Sequence, residues 1–264
     1  MEVDFEITPE VEAFTHKHNA PISIDEIATG ICLCLSNAKE LYLDANALAE
    51  TGRHGRTMSM LIAAMEEVGK ITVLSSMARL PKCNLPLWKD AWNSFRCHKT
   101  KSTCAFAQTY EDYLRAFPKA FEQILSYQAG LAPFAERLRQ VGLYVDFLGD
   151  DAGWMSPIAV APKDTARWFE YVERALERVI SFDELGMHSV ELLQIEHEIY
   201  APLSIGRPRS KDMTAEQRNA LIEAANAARV HFVRRLVTDG FVELNSDFQI
   251  MGIPIRDYIK QGNP

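Results

Sequence analysis

Met65-Glu66-Glu67-Val68-Gly69-Lys70 stands at the centre of the stretch Arg56–Leu80, and the period of that stretch decides the fold. Successive residues of a helix are rotated by about 100°. Met58, Leu61, Ile62, Met65, Val68 and Thr72 therefore fall on one core-facing stripe. Glu66 lies at the edge of that stripe with Lys70 at i+4, and Glu67 reaches Lys70 at i+3. Acids placed before a lysine follow the favourable charge order of a helix, worth only about 0.2–0.5 kcal/mol per exposed pair. By spacing alone the turn reads either as a solvated ion pair or as part of a site.

The preceding segment reads as this helix's antiparallel partner. Ser23-Ile24-Asp25-Glu26 has the form of a capping box. Ile24, Ile27, Ala28, Ile31, Leu35, Ala38, Leu41, Tyr42, Ala45 and Leu48 follow at helical period. The helix ends at Thr51-Gly52, where glycine takes the left-handed conformation. Arg53-His54-Gly55 then leaves room only for a tight helical hairpin, Ser23–Thr51 against Arg56–Leu80.

A third helix is expected across Trp88–Phe106, with Trp88, Trp92, Phe95, His98 and Ser102 on one stripe. Lys101 stands at i+3 from His98, and Arg96 and Lys99 make the turn basic. Helical patterns run through Tyr110–Phe117 and resume from Phe121 to Leu138. A short extended segment is expected near 142–148, then a turn-rich loop through Gly149–Trp154. The aspartates there, Asp146, Asp150 and Asp151, suit turn chemistry better than a calcium loop. Additional helices are expected over Pro162–Leu185, Ser189–Tyr200 and Thr214–Gly240, the last with a Thr214/Gln217 capping box. Ile205–Lys211 is a basic loop that suits a hinge or an anion contact. The tail Phe241–Tyr258 has extended character, with a last helical turn at Ile255–Lys260. The expected organisation is mainly α: an N-terminal arm 1–22, a helical core 23–141, and a mostly helical region 142–264 packed on it.

Composition narrows the function. Hydrophobic residues make up 47% of 264, which is globular material. A net charge of −8 confines any contact with RNA to a local basic patch. Met1–Pro21 is acidic and interrupted by His16, Lys17 and His18, so no secretory signal is read and no membrane partner is expected. Five cysteines without a regular framework suit reduced thiols in a cytoplasmic protein. Cys32-x-Cys34 is too apolar in its surroundings for a zinc knuckle, and Glu196-His197-Glu198 lacks a second histidine at i+4, so no metal and no cofactor is expected. A glycine-rich phosphate loop, a dinucleotide fingerprint and a serine elbow are all absent from the sequence.

What remains is the acid–lysine turn and the histidine–lysine turn. Packed together they suit metal-free phosphodiester chemistry, with histidine moving a proton and lysine facing phosphate. They suit equally a buried polar network that fixes helix register. The expected catalytic set is Glu66, Glu67, Lys70, His98 and Lys101, with Arg53, Arg96 and Lys99 toward RNA.

Asn37-Ala38, Asp44-Ala45, Leu48, Gly52-Arg53, Ala64-x-Glu66-Glu67-x-Gly69-Lys70 and Phe95-x-x-His98-x-x-Lys101 resemble the AbiV-type abortive infection proteins of bacteria. Leu143-Tyr144-Val145-Asp146, Trp154 and Ser156-Pro157 are similar to that family's downstream signature. The resemblance covers roughly residues 30–160. It implies anti-phage defence and an HEPN-like helical bundle, a class in which many members are dimeric, metal-independent ribonucleases. A homodimer is therefore expected, which the breadth of the first helix's apolar surface, Cys32 and Cys34 included, also favours. The expected partners are RNA or the translation machinery, with a phage-encoded protein as trigger. One departure stands out: the usual HEPN arginine, with four to six residues between it and a histidine, is missing, since Asn93, Trp92 and Ala91 hold those positions before His98. A non-enzymatic interaction protein that binds a phage product or a translation component is the alternative.

Overall fold

The computed structural model describes residues 17–109, 133–147, 153–208, 212–241, 249–250 and 253–254. The expectations for residues 1–16, 110–132, 148–152, 209–211, 242–248, 251–252 and 255–264 lie outside them.

Helix α1 (Ile24–Glu50) begins with the Ser23/Glu26 capping box, in which each side chain serves the other residue's backbone N–H. Gly52 turns the chain at φ 73°, and α2 (His54–Ala78) returns antiparallel to α1. The expected stripe is inside: Met58, Leu61, Ile62, Met65 and Val68 are each at most 2% exposed. Ala64, Ile71, Leu74, Met77 and Ala78 are buried as well, so α2 is covered on most of its circumference. That makes α2 the axis of the bundle. It packs on α1, on α4 (His98–Thr109) and on α6 (Pro162–Glu184), and touches α3 (Leu85–Arg96) and α7 (Val190–Tyr200). Fully burying a side chain of Leu, Ile or Met size contributes about 1.5–3 kcal/mol, so this one helix anchors much of the core.

The helix expected across Trp88–Phe106 is two helices. Cys97 is extended (φ −80°, ψ 113°) and separates α3 from α4. Its N–H still closes α3 onto Asn93 and Ser94, while its carbonyl accepts the Lys101 N–H that opens α4. The Trp88–Trp92–Phe95 stripe therefore stops before His98. Periodicity could not reveal the break, because the helical spacing of Trp88, Trp92 and Phe95 continues in sequence through His98 and Ser102. The new direction carries α4 across α2 at Gly69, where a Cβ would lie 1.9 Å from the carbonyl oxygen of Lys101. Only glycine permits that approach.

Residues 133–143 form a helix, α5. Gly142 and Leu143 are thus helical, and the expected extended segment reduces to β1 (Asp146–Phe147), paired antiparallel with β2 (Trp154–Met155). Gly142 seats α5 on the first turn of α2: a Cβ there would meet Ser59 Oγ at 2.2 Å and the Gly55 carbonyl at 2.3 Å. Ser59 Oγ also donates to the Arg139 carbonyl at 2.9 Å. Helix α6 adds Trp168, Val172, Ala175, Leu176 and Val179 to the same core as α1 and α2, and Tyr42 donates to Glu173 across that contact. A smaller cluster, Leu192, Ile195, Phe232 and Leu236, joins α7 to α8 (Ala215–Thr238). Helix α8 has the expected Thr214/Gln217 capping box and ends at Gly240, φ 77°. A second short pairing joins β3 (Gln249–Ile250) to β4 (Ile253–Pro254). Among the described residues no helix is long and apolar enough to cross a membrane.

The end of the N-terminal arm is docked. Trp92 donates through Nε1 to the Ala20 carbonyl at 2.8 Å, and Arg96 reaches the His18 carbonyl and Asn19 Oδ1. The two neighbouring cysteines of α1 part company: Cys34 is buried, while Cys32 is exposed beside Leu33.

Candidate functional site

Glu66 lies on the side of α2 that faces the start of α4, and the Gly69 crossing brings that start within reach. His98 Nδ1 is 2.6 Å from Glu66 Oε2, and Lys101 Nζ is 3.3 Å from the same oxygen. Both partners project from the first turn of α4, which begins immediately after the Cys97 break. Glu66 and Lys101 are each 5% exposed, whereas the His98 side chain is 45% exposed. A carboxylate in such a place demands compensation, because removing an ion from water costs several kcal/mol. Here it has a close imidazole and a buried ammonium.

A third cationic group comes from α5. Arg139 Nε stands 3.7 Å from Glu66 Oε1, and Arg139 Nη2 donates to Glu136 Oε1 at 3.0 Å. Neither Glu66 Oε1 nor Arg139 Nε has a hydrogen bond among the described residues, although both are buried. Glu136 Oε2 lies 3.9 Å from His98 Nδ1. Burial works to raise the Glu136 pKa, but hydrogen bonds from Arg139 and Gln140 and the charges of Arg139 and His98 hold it below the ordinary value.

Of the expected catalytic residues, Glu66, His98 and Lys101 converge. Glu67 and Lys70 form their own pair at 2.6 Å, and Lys70 sits over the Phe95 ring at 5.5 Å. The reason is helical: the Glu67–Lys70 edge faces α3, while Glu66 faces α4 and α5. Lys99 is exposed on the first turn of α4. Arg96 is engaged by the N-terminal arm. Arg53 precedes Glu66 by 13 positions, about 20 Å along a helix at 1.5 Å per residue.

Sequence reasoning missed Glu136 and Arg139. Their i,i+3 spacing is visible, but it marks an ordinary surface pair, and nothing local ties it to Glu66, 73 positions before Arg139. Arg139 lies 41 positions after His98 in sequence and reaches the same carboxylate, Glu66, from α5.

An ionised carboxylate only accepts hydrogen bonds, so the Glu66 contact places the proton on His98 Nδ1. Nε2 is the ring nitrogen left for a group arriving from outside. Glu66, His98 and Glu136 bring ligand atoms within 4.8 Å of one another, close enough for a metal. However, Lys101 and Arg139 already neutralise the two carboxylates. With both carboxylates paired, little negative charge is left over to hold a cation.

No curated protein matches the chain, and no solved structure does. The family model for AbiV, an HEPN family, matches residues 26–177, which take in nearly all of the α1–α2 hairpin, α3, α4, α5, most of α6 and the whole Glu66 cluster. With more than half of its length matched, the protein belongs to the AbiV family of HEPN proteins.

Proposed function

We propose that the protein is an abortive-infection effector of anti-phage defence that cleaves RNA without a metal. The observation that supports this most is the 2.6 Å Glu66–His98 contact at a half-exposed imidazole with buried Lys101 alongside. Glu66 orients the ring and stabilises the imidazolium, as a carboxylate behind a catalytic histidine does. His98 Nε2 takes the proton of a ribose 2′-hydroxyl. The 2′ oxygen bonds to phosphorus, the bond from phosphorus to the 5′ oxygen breaks, and the leaving oxygen takes a proton from solvent. The products are a 2′,3′-cyclic phosphate and a 5′-hydroxyl end. Lys101 and Arg139 supply the positive field for the phosphorane, and exposed Lys99 guides the strand. The acting form is a homodimer, which light scattering reads directly.

A second reading has a specific observation in its favour: the Lys101–Glu66 pair is buried on both sides, as in a network that fixes helix register. Under it the protein is a non-enzymatic binder of a phage product or a translation component.

The test is induction of wild type, Glu66→Gln, His98→Ala and Lys70→Ala in a bacterial host, with sequencing of cellular RNA ends and growth after phage challenge. Ribonuclease action requires new cyclic-phosphate ends in wild type and Lys70→Ala, and their loss in the other two with melting temperatures within a few degrees. Defence that persists in His98→Ala, or arrest with unchanged RNA ends, overturns catalysis and leaves the binding role.

A further inference from the structure

Outside the Glu66 cluster, α2, α5 and the beginning of α6 enclose a cavity of about 560 Å³. Its walls are apolar and aromatic, with Met58 from α2, Leu138 and Val141 from α5, and Trp168 and Tyr171 from α6. The volume lies within the range of about 300–1,000 Å³ usual for small-molecule sites. None of the Glu66 cluster lines it, although Leu138 in its wall is the sequence neighbour of Arg139.

Charge specifies the occupant further. Lys163 and Arg167, one turn apart on α6 and both exposed, also line the cavity. Neither has an ion pair or hydrogen bond among the described residues. Asp164 lines it too, but its carboxylate accepts the Ala161 N–H at 3.1 Å and so serves as the cap of α6. An apolar, aromatic chamber with two unpaired cations fits one chemical class of ligand. We infer that this cavity binds a small organic anion, with its flat or apolar body against Trp168, Tyr171 and Leu138 and its acidic group on Lys163 and Arg167. Aromatic walls favour offset or edge contacts with a flat body, and a guanidinium holds an oxyanion through charge-assisted hydrogen bonds.

The full chain is titrated with the aromatic sulfonate 1-anilinonaphthalene-8-sulfonate and with its uncharged analogue N-phenyl-1-naphthylamine, by fluorescence and calorimetry. The expected result is one saturable sulfonate site per chain. Lys163→Ala with Arg167→Ala weakens the sulfonate by about tenfold, the scale of losing charge-assisted bonds, and leaves the neutral probe nearly unchanged. Ala159→Trp, at an exposed position in the lining, removes both probes without a change in circular dichroism. Competition separates two natural sources: displacement by adenosine monophosphate identifies a nucleotide, and displacement by decanoate a fatty anion. Absence of a saturable site, binding indifferent to Lys163 and Arg167, binding that survives Ala159→Trp, or failure of both competitors overturns the assignment.

Discussion

Two buried glutamates in this protein are treated differently. Glu196, on α7, is held by Arg79 through two bonds of 3.0 Å, so each carboxylate oxygen has its own donor. The same guanidinium lies 5.0 Å from the Tyr200 ring centroid, and the adjacent His197 Nδ1 bonds the Ala78 carbonyl. Burial opposes the charge on Arg79, but Glu196 raises its pKa further than burial lowers it. Glu66 has more partners and a less complete arrangement. His98 and Lys101 share one of its oxygens, while the other faces Arg139 at 3.7 Å without a hydrogen bond among the described residues. One glutamate forms a closed fork that ties α2 to α7. The other leaves an imidazole half-open to solvent and a guanidinium uncommitted on one nitrogen. An unmet buried polar group costs about 1–3 kcal/mol, and His54 Nδ1 and Arg207 Nε share this state outside the cluster, so what sets Glu66 apart is the half-exposed imidazole on its carboxylate.

The largest way to break the comparison is Gly69→Ala. A methyl group 1.9 Å from the Lys101 carbonyl forces α4 away from α2, and overpacking at a fixed backbone costs about 3 kcal/mol. His98 and Lys101 then leave Glu66 together, so chemical denaturation should show the loss while the proposed RNA cleavage disappears. A Gly69→Ala protein of wild-type stability and activity would sink the crossing as the organiser of the site.

Arg79→Ala sharpens it from the other side. Truncation leaves Glu196 buried without its fork. Because Arg79 is itself 46% exposed, water recovers part of the loss, and the cost is about 2 kcal/mol, below the usual figure for a fully buried pair. The melting temperature should fall while the proposed RNA cleavage, per folded molecule, stays unchanged. A selective loss of activity at unchanged stability would move the functional role from Glu66 to Glu196.

The smallest effect concerns Glu136. Its folded pKa is held below its ordinary value of 4.5, so it contributes stability that is present above that value and is lost as pH falls through the folded pKa. Glu136→Gln should therefore be less stable than wild type at neutral pH, with the gap closing below about pH 4.5. Thermal melts across the acid range read this directly, and a gap that widens toward acid would show the sign to be wrong.

Part of this architecture is legible in the residues alone. Ser23 with Glu26, Thr214 with Gln217 and the glycines at 52 and 240 mark helix ends correctly, because caps and left-handed turns are settled within a few residues. The stripe from Met58 to Val68 is equally local. The break at Cys97 is hidden, because helical spacing runs through it to His98 and Ser102, and the second helix takes its own direction where it packs on α2 at Gly69. The i,i+4 spacing from Glu66 points Lys70 toward the site, but the i+3 pair with Glu67 wins, since Lys70 and Glu66 face different neighbours.

By itself, then, the sequence determined the helical hairpin, its caps, its family and three of the converging residues: Glu66, His98 and Lys101. The hairpin and its caps depend on period and on short-range hydrogen bonds, which neighbours in the chain set among themselves, whereas Glu66, His98 and Lys101 were legible as candidates and met only when α4 packed on α2. Tertiary structure alone decided that Arg139 and Glu136 join them and that Glu196 meets Arg79. It also decided that Lys163 and Arg167 share a cavity with Trp168 and Leu138. Charges far apart in sequence carry no periodic signal. Their meeting depends on how closely whole helices approach, and at the Glu66 site that distance is set by the missing side chain of Gly69.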